Sequence, residues 1–217
     1  MTAYFQDVAV LARKDLLIEL RSRDTVPAML LFVVGSLVVF HFVVPSGLSE
    51  DTERVVATGL LWIAILFTAL LGLTRSFVAE REQGLMDGLV LAPCDRSAIW
   101  LAKTVSVFAF LALAELLALP AFALFFEPVD AATVAAVALA NVGIASVGSL
   151  LSAIAAASRT RELLLPLLFL PLAIPILIGG VGASSVDDPG RYLGFLGLYD
   201  GIFAIISWAS FEYVVTE

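Results

Sequence analysis

Charge is scarce in this chain. Only 15% of its 217 residues are charged, whereas 61% are hydrophobic. The mean hydropathy of +1.03 is high, because in a typical soluble domain roughly half of the residues are apolar. Most of this chain must therefore lie in lipid, and a soluble globular domain is excluded as its main part.

Residues for catalysis and metal binding are almost absent. His41 is the only histidine and Cys94 the only cysteine, so no internal disulfide and no Cys/His cluster can form. No GxxxxGK[ST] sequence is present, so the chain does not bind nucleotide phosphates in that way. No nucleophile and base stand at a recognisable spacing. We therefore expect that this chain has no catalytic residue, no metal site and no bound cofactor, and that it is not an enzyme.

Long apolar runs make up most of the sequence. Six of them have about 20 residues, the length of a membrane-spanning helix. None shows the period of two that a membrane β-barrel requires. We predict an all-α membrane protein, a single membrane-embedded domain over residues 1–217, without a cleavable signal peptide. The predicted spans are residues 27–44, 55–74, 104–126, 131–157, 163–182 and 193–215.

The positive residues predict the orientation. Ten of the twelve Lys and Arg residues fall on one side of the six predicted spans, and only Arg54 and Arg191 fall on the other. Cytoplasmic loops carry the excess of Lys and Arg. Both termini and the segment between spans two and three are therefore predicted to be cytoplasmic, in a multi-pass protein of the plasma (inner) membrane.

The N-terminal segment is predicted to be an amphipathic helix at the cytoplasmic interface, over residues 3–24, with its cations near anionic headgroups. A simple N-terminal extension of the first span is the alternative. The apolar face follows the i, i+3, i+4 spacing and comprises Phe5, Val8, Ala9, Ala12, Leu16 and Leu20.

Two spans have unusual compositions. Span four carries small residues at every fourth position, which lets helices approach closely and indicates a central helix or a dimer contact. Span five contains three prolines that should kink it, since each removes a backbone donor. A kinked span can line a path or merely pack. The small residues are Ala145, Ser149, Ala153 and Ala157, and the prolines are Pro166, Pro171 and Pro175.

Three polar residues stand within the predicted spans. Glu115 lies midway along span three, where an ionised group costs roughly 2.5–3.5 kcal/mol or more. The short turn between spans three and four places Asn141 at a similar depth, so we expect the two side chains to form a hydrogen bond. This pair could be structural or functional. Asp200 enters span six from the outer side and is expected to line an outer vestibule.

The segment from Arg75 to Lys103 concentrates charge in a compact pattern. It contains both charged and apolar residues, two glycines interrupt it, and a proline ends the pattern. Exposed leucines beside charge predict a docking surface, formed by a short interfacial or re-entrant helix and a turn. The residues expected to carry this contact are Arg75, Glu80, Glu82, Gly84, Leu89, Leu91 and Pro93.

This segment resembles the cytoplasmic coupling loop of ABC-2-type permeases, and several further stretches resemble the CcmB family. CcmB is the permease subunit of the haem-exporter complex in cytochrome c maturation. The resemblance covers nearly the whole chain, including its length and six spans. The stretches that carry it are RSF at Arg75–Phe77, the loop from Glu80 to Pro93, AELLALP at Ala114–Pro120, RELLLPLLFLP at Arg161–Pro171 and FEY at Phe211–Tyr213.

The resemblance implies partners. They are a CcmA-like ATPase that binds ATP, a CcmC-like haem-handling membrane subunit, and a second CcmB copy in a homodimer; membrane lipid surrounds the chain and nucleic acid has no role. Haem would be the transported or handled ligand. Three rival functions remain: an ABC-2 permease for a lipid or drug, an ion-coupled secondary transporter that uses Glu115, and a non-transporting assembly scaffold.

Overall fold

The structure is a computed structural model that describes residues 2–22, 25–45, 47, 49–75, 94–158, 160–186 and 188–216. Within these ranges the chain forms seven α-helices and no strand. Six of the helices are long and apolar enough to cross a membrane, which confirms the predicted all-α, six-span fold. The helices are α1 (Thr2–Ser22), α2 (Thr25–Val43), α3 (Glu50–Arg75), α4 (Arg96–Phe125), α5 (Ala131–Ala157), α6 (Arg161–Ser185) and α7 (Gly190–Thr216).

Aspartate caps begin two of these helices. Asp95 precedes α4 and its Oδ1 accepts a hydrogen bond from the Ser97 amide at 2.9 Å. Asp130 precedes α5 in the same way and accepts from the Thr133 amide at 2.8 Å. Such caps satisfy amides that have no partner within the helix. The α4–α5 turn thus forms a tight helical hairpin, and we call this end of the bundle the hairpin end.

Helix α4 extends beyond the predicted span three. The predicted span starts at residue 104, whereas α4 begins at Arg96. Lys103, placed in the preceding loop by its charge, is a buried helical residue with 5% exposure. Its charge is tolerated because an acidic side chain of α1 pairs with it, as described below.

The central helix of the bundle is α5, which packs against α4, α6 and α7. In its membrane span 67% of the residues are buried. The small residues Ala145, Ser149 and Ala153 are all buried within this chain; the side chain of Ala157 lies outside the described residues. Small side chains allow this close packing, so the stripe belongs to a central helix.

Helix α6 continues through its three prolines as one helix. The bend expected at Pro166, Pro171 and Pro175 stays a prediction. A side chain of α7 supports the backbone between the last two prolines, since the Tyr199 hydroxyl donates a 2.7 Å hydrogen bond to the Leu172 carbonyl. Such side chains satisfy carbonyls near a proline in a membrane helix.

The N-terminal helix α1 packs on the first turns of α4. Val8 and Ala12 bury against Ala98 and Ala102. The predicted N-terminal helix is present. Of its predicted apolar face, Val8 and Ala12 contact α4, whereas Phe5 is 62% exposed. The helix presents one face to α4 and leaves other apolar side chains uncovered by this chain.

Candidate functional site

Glu115 and Asn141 meet inside the helical hairpin. Glu115 lies ten residues before Phe125, the last residue of α4, and Asn141 lies ten residues after Ala131, the first of α5. Both are therefore about 15 Å from the hairpin end, at 1.5 Å per residue. The Asn141 Nδ2 donates a hydrogen bond to Glu115 Oε2, and both residues are buried. The contact predicted from their depths is confirmed.

This pair is incompletely satisfied. Among the described residues, the other two oxygens of the pair, Glu115 Oε1 and Asn141 Oδ1, are buried without a hydrogen-bond partner. A buried polar atom without a partner is costly. The pair therefore has spare hydrogen-bonding capacity in the middle of the bundle, which an interhelical contact alone does not use.

Asp200 lies at the same depth as this pair. It follows Gly190, the first residue of α7, by ten residues. The expected outer vestibule is wrong, because Asp200 is buried with 6% exposure. The room for its carboxyl comes from Gly143 of α5: a Cβ at that glycine would lie 2.6 Å from Asp200 Oδ1. The acid thus fills space that any larger residue at position 143 would occupy.

The two carboxyls lie on opposite sides of α5. Asn141 contacts α4, and Gly143 contacts α7. Two residues along an α-helix correspond to a rotation of about 200°. Glu115 and Asp200 thus lie at a common depth and form one polar layer. The central helix α5 separates the two carboxyls. We call these three residues, Glu115, Asn141 and Asp200, the mid-span layer.

A second buried cluster holds α1 against α4. Lys103 Nζ lies 3.1 Å from Asp15 Oδ2, and the two side chains are 6% and 8% exposed. Lys14 Nζ lies 2.9 Å from the other oxygen, Asp15 Oδ1. Both carboxylate oxygens thus face a cation. We call Lys14, Asp15 and Lys103 the interfacial cluster.

The sequence interpretation missed the interfacial cluster. A signal was present: Asp15 falls seven residues after Val8, on the same side of α1, and Lys103 is the only cation of α4 after Arg96. Further contacts fix the two helices. The Ser106 hydroxyl donates to the Ala102 carbonyl at 2.9 Å and lies 3.4 Å from the Ala12 carbonyl, and the Tyr4 and Ser97 hydroxyls are 3.1 Å apart.

The predicted docking segment connects α3 to α4. Arg75 is the last residue of α3. Glu80, Glu82, Gly84, Leu89, Leu91 and Pro93 lie outside the described residues.

The helices on both sides of this segment are firmly packed. Near the end of α3, the Leu73 carbonyl accepts a 3.1 Å hydrogen bond from Ser152 of α5. Just before α4, burial and then the charges of Asp7 and Asp95 raise the pKa of the Cys94 thiol. Helix α1 lies close to the point where the segment returns to the bundle, since the Tyr4 hydroxyl is 3.1 Å from that of Ser97.

The hairpin end carries an ion pair and a group of aromatic rings. Arg54 Nε lies 3.4 Å from Glu127 Oε2, and both side chains are partly exposed. His41 is exposed and its ring centre lies 5.4 Å from that of Phe125. In the described part of the chain, no three His, Cys, Asp or Glu residues form a group that could hold a metal ion.

The described residues form seven helices, of which six are apolar spans, and one of these six is a small-residue central helix. This arrangement defines a multi-pass integral membrane protein. The CcmB protein family matches residues 6–206 of the chain. The chain belongs to this family.

Curated relatives agree with this assignment. Heme exporter protein B of Pseudomonas aeruginosa is 33% identical over 185 residues, which cover 83% of this chain and 81% of the relative. Heme exporter protein B of Paracoccus denitrificans is 32% identical over 162 residues, covering 70% and 74%. Heme exporter protein B of Rhodobacter capsulatus is 29% identical over 177 residues, covering 77% and 81%.

Proposed function

We propose that this chain is the membrane permease subunit of an ABC transporter complex for haem export or delivery in c-type cytochrome biogenesis. The observation that carries the proposal is the family match over residues 6–206, together with relatives named for haem export that align over most of both chains. In this function a separate CcmA-like subunit hydrolyses ATP. Haem is the cargo or the ligand of a partner, and a CcmC-like subunit and a second copy of this chain complete the complex.

The segment between α3 and α4 is the place where the ATPase would act. A partner shifts a conformational equilibrium only through contacts that differ between the two states. Force applied to residues 76–93 would reach α3, whose end is bonded to α5 through Leu73 and Ser152. It would also reach α4, which carries α1 with it through Lys103 and Asp15. ATP hydrolysis would thereby move α3 and the α1–α4 pair relative to each other.

This function requires the segment to face the cytoplasm. The ten-to-two distribution of Lys and Arg supports that orientation. Single cysteines at Ser97 and, in the connection that follows Ser184, at the exposed Asp188 test it in a Cys94→Ser background, with an impermeant thiol reagent in oriented vesicles. Ser97→Cys should react only from the cytoplasmic side and Asp188→Cys only from the outer side. Reaction of both from one side would contradict the topology.

The coupling test uses charge reversal in the segment. Glu82→Arg should detach or uncouple the ATPase because it would repel a cation on the partner, and Gly84→Val should obstruct a close approach or a turn. The readouts are cytochrome c yield and capture of the ATPase with the purified permease. Glu53→Arg, a charge reversal at an exposed residue of the hairpin end, is the matched control and should change neither. Wild-type yield and capture in the Glu82→Arg/Gly84→Val variant would refute ATPase coupling through this segment.

The mid-span layer favours one rival function, an ion-coupled transporter. Buried carboxyls in membrane helices often mark ion pathways. The two functions differ in their need for the ATPase. An ATPase variant that cannot hydrolyse ATP should abolish cytochrome c assembly if the complex is ATP-driven, and should leave it intact if an ion gradient alone drives this chain.

A further inference from the structure

The mid-span layer contains more hydrogen-bond acceptors than donors. Four of its oxygens have no hydrogen-bond partner among the described residues: Glu115 Oε1, Asn141 Oδ1 and both oxygens of Asp200. The described donor is the Asn141 amide, which already bonds Glu115 Oε2. An ionised carboxylate only accepts, whereas a protonated one also donates. Additional protons would therefore supply the donors that the layer lacks.

The absence of a neighbouring cation among the described residues also indicates that Glu115 and Asp200 bind protons. In the described part of the chain, no Lys or Arg forms an ion pair with Glu115 or Asp200. Isolated ionised carboxylates are strongly disfavoured in an apolar medium, where such groups neutralise instead. Asn141, the described hydrogen-bond partner of Glu115, is neutral.

Among the described residues Asp200 forms no ion pair. Its carboxyl lies against Gly143 of α5, where Ile176 of α6 and Tyr199 of α7 also approach. Tyr199 is the titratable group among these neighbours, and its hydroxyl hydrogen is already donated to the Leu172 carbonyl. The tyrosine therefore does not supply the donor that Asp200 lacks.

We propose that Glu115 and Asp200 are two proton-binding sites in the membrane interior, each a neutral carboxylic acid whose proton exchanges with solvent when the helices separate. The ligand is the proton. Because the sites lie on opposite sides of α5, movement of α5 against α4 would hydrate Glu115, and movement against α7 would hydrate Asp200. The proposal concerns this chain alone and is independent of its cargo.

Infrared spectroscopy of the purified full-length protein in lipid tests the proposal directly. Neutral carboxylic acids have a carbonyl stretch separate from the carboxylate bands. Wild-type protein at neutral pH should show the neutral-acid band, and it should shift when H₂O is replaced by D₂O. Glu115→Gln and Asp200→Asn should each remove part of it, and the double variant should remove it. Glu127→Gln, which changes the acid paired with Arg54, is the matched control and should leave the band unchanged.

Isotope labelling keeps the test decisive if a variant does not fold. In wild-type protein with ¹³C-labelled aspartate side-chain carboxyls, the Asp200 part of the neutral-acid band should shift, and labelled glutamate should shift the rest. Absence of the band at neutral pH, or a band that both labels leave in place, would overturn the proposal. A neutral-acid band that does not shift in D₂O would overturn the exchange with solvent.

Discussion

The interfacial cluster and the mid-span layer bury ionisable groups in opposite ways. In the interfacial cluster each oxygen of Asp15 faces a lysine, at 2.9 and 3.1 Å. In the mid-span layer, the described residues place no cation beside Glu115 or Asp200. The two regions share one helix, α4, which carries Lys103 near its start and Glu115 twelve residues later.

Depth explains this difference. Lys103 lies seven residues after the start of α4, about 10 Å along the helix. At this position an acid of α1 can reach the lysine ammonium, because α1 packs on the first turns of α4. Glu115 lies about 18 Å deeper, where a short side chain cannot reach the interface. Charge on this helix is thus paired near one end and, by our proposal, neutralised at the centre.

Lys103→Met should have the largest effect. It leaves Asp15 buried with only one of its two described cations, and breaking a buried pair costs about 3–5 kcal/mol of stability. The measurement is thermal unfolding in mild detergent. Arg96→Met is the matched control: Arg96 belongs to the same helix and pairs with Glu212 at 3.5 Å, but the side chains are 36% and 67% exposed. The control should lose no more than about 1 kcal/mol.

Two outcomes would contradict the predicted difference between the buried and the exposed ion pair. If Lys103→Met and Arg96→Met destabilise the protein equally, burial does not distinguish the two ion pairs. Asp15→Asn combined with Lys103→Met should recover part of the loss, since it removes the uncompensated charge. Absence of recovery would mean that Lys103 acts through packing rather than through its pairing with Asp15.

Gly143→Ala should have the next largest effect, through the mid-span layer. The added Cβ would lie 2.6 Å from Asp200 Oδ1, so the side chain or a helix must shift, at about 1–3 kcal/mol. Asp200→Ala in the same chain should relieve the contact and restore part of the stability. Gly197→Ala in α7, where nothing lies within 4 Å of the new Cβ, is the control and should be neutral or stabilising. Equal losses in both alanine variants would contradict the close approach.

The sequence allowed prediction of those features that depend on hydropathy or local connectivity. Six apolar runs predicted six spans. The short turn of the hairpin fixed the relative depth of Glu115 and Asn141, so their contact could be predicted without knowing how the other helices pack. Both inferences use distances along the chain that helix geometry converts into distances in space.

Features that depend on helix rotation could not be predicted in the same way. The contact of Asp15 with Lys103 requires knowing which face of α1 meets α4, and apolar residues lie on more than one side of α1. For the same reason Lys103 was taken as the end of the preceding loop, whereas α4 begins eight residues before the predicted span. The burial of Asp200 against Gly143 depends on how α7 packs on α5. The sequence does not give that packing, so Asp200 was placed in a vestibule.

Asp130→Ala should have the smallest effect, at the hairpin end. Asp130 caps α5, and removing such a cap costs about 1 kcal/mol at neutral pH. Hydrogen bonding from Thr133 outweighs partial burial, and with the nearby charge of Arg54 it lowers the pKa of Asp130 below the ordinary value of 3.8.

The lowered pKa determines the pH dependence. A carboxyl with a lowered pKa in the folded state contributes stability above its unfolded pKa, and loses that contribution as the pH falls through its folded pKa. The stability difference between wild type and Asp130→Ala should therefore shrink as the pH falls below about 3.8. Asp130→Asn, which retains a cap without a titrating group, is the control. The stability difference between Asp130→Asn and Asp130→Ala should stay constant with pH. If it changes with pH as the difference between wild type and Asp130→Ala does, the Asp130 charge has no part in the cap.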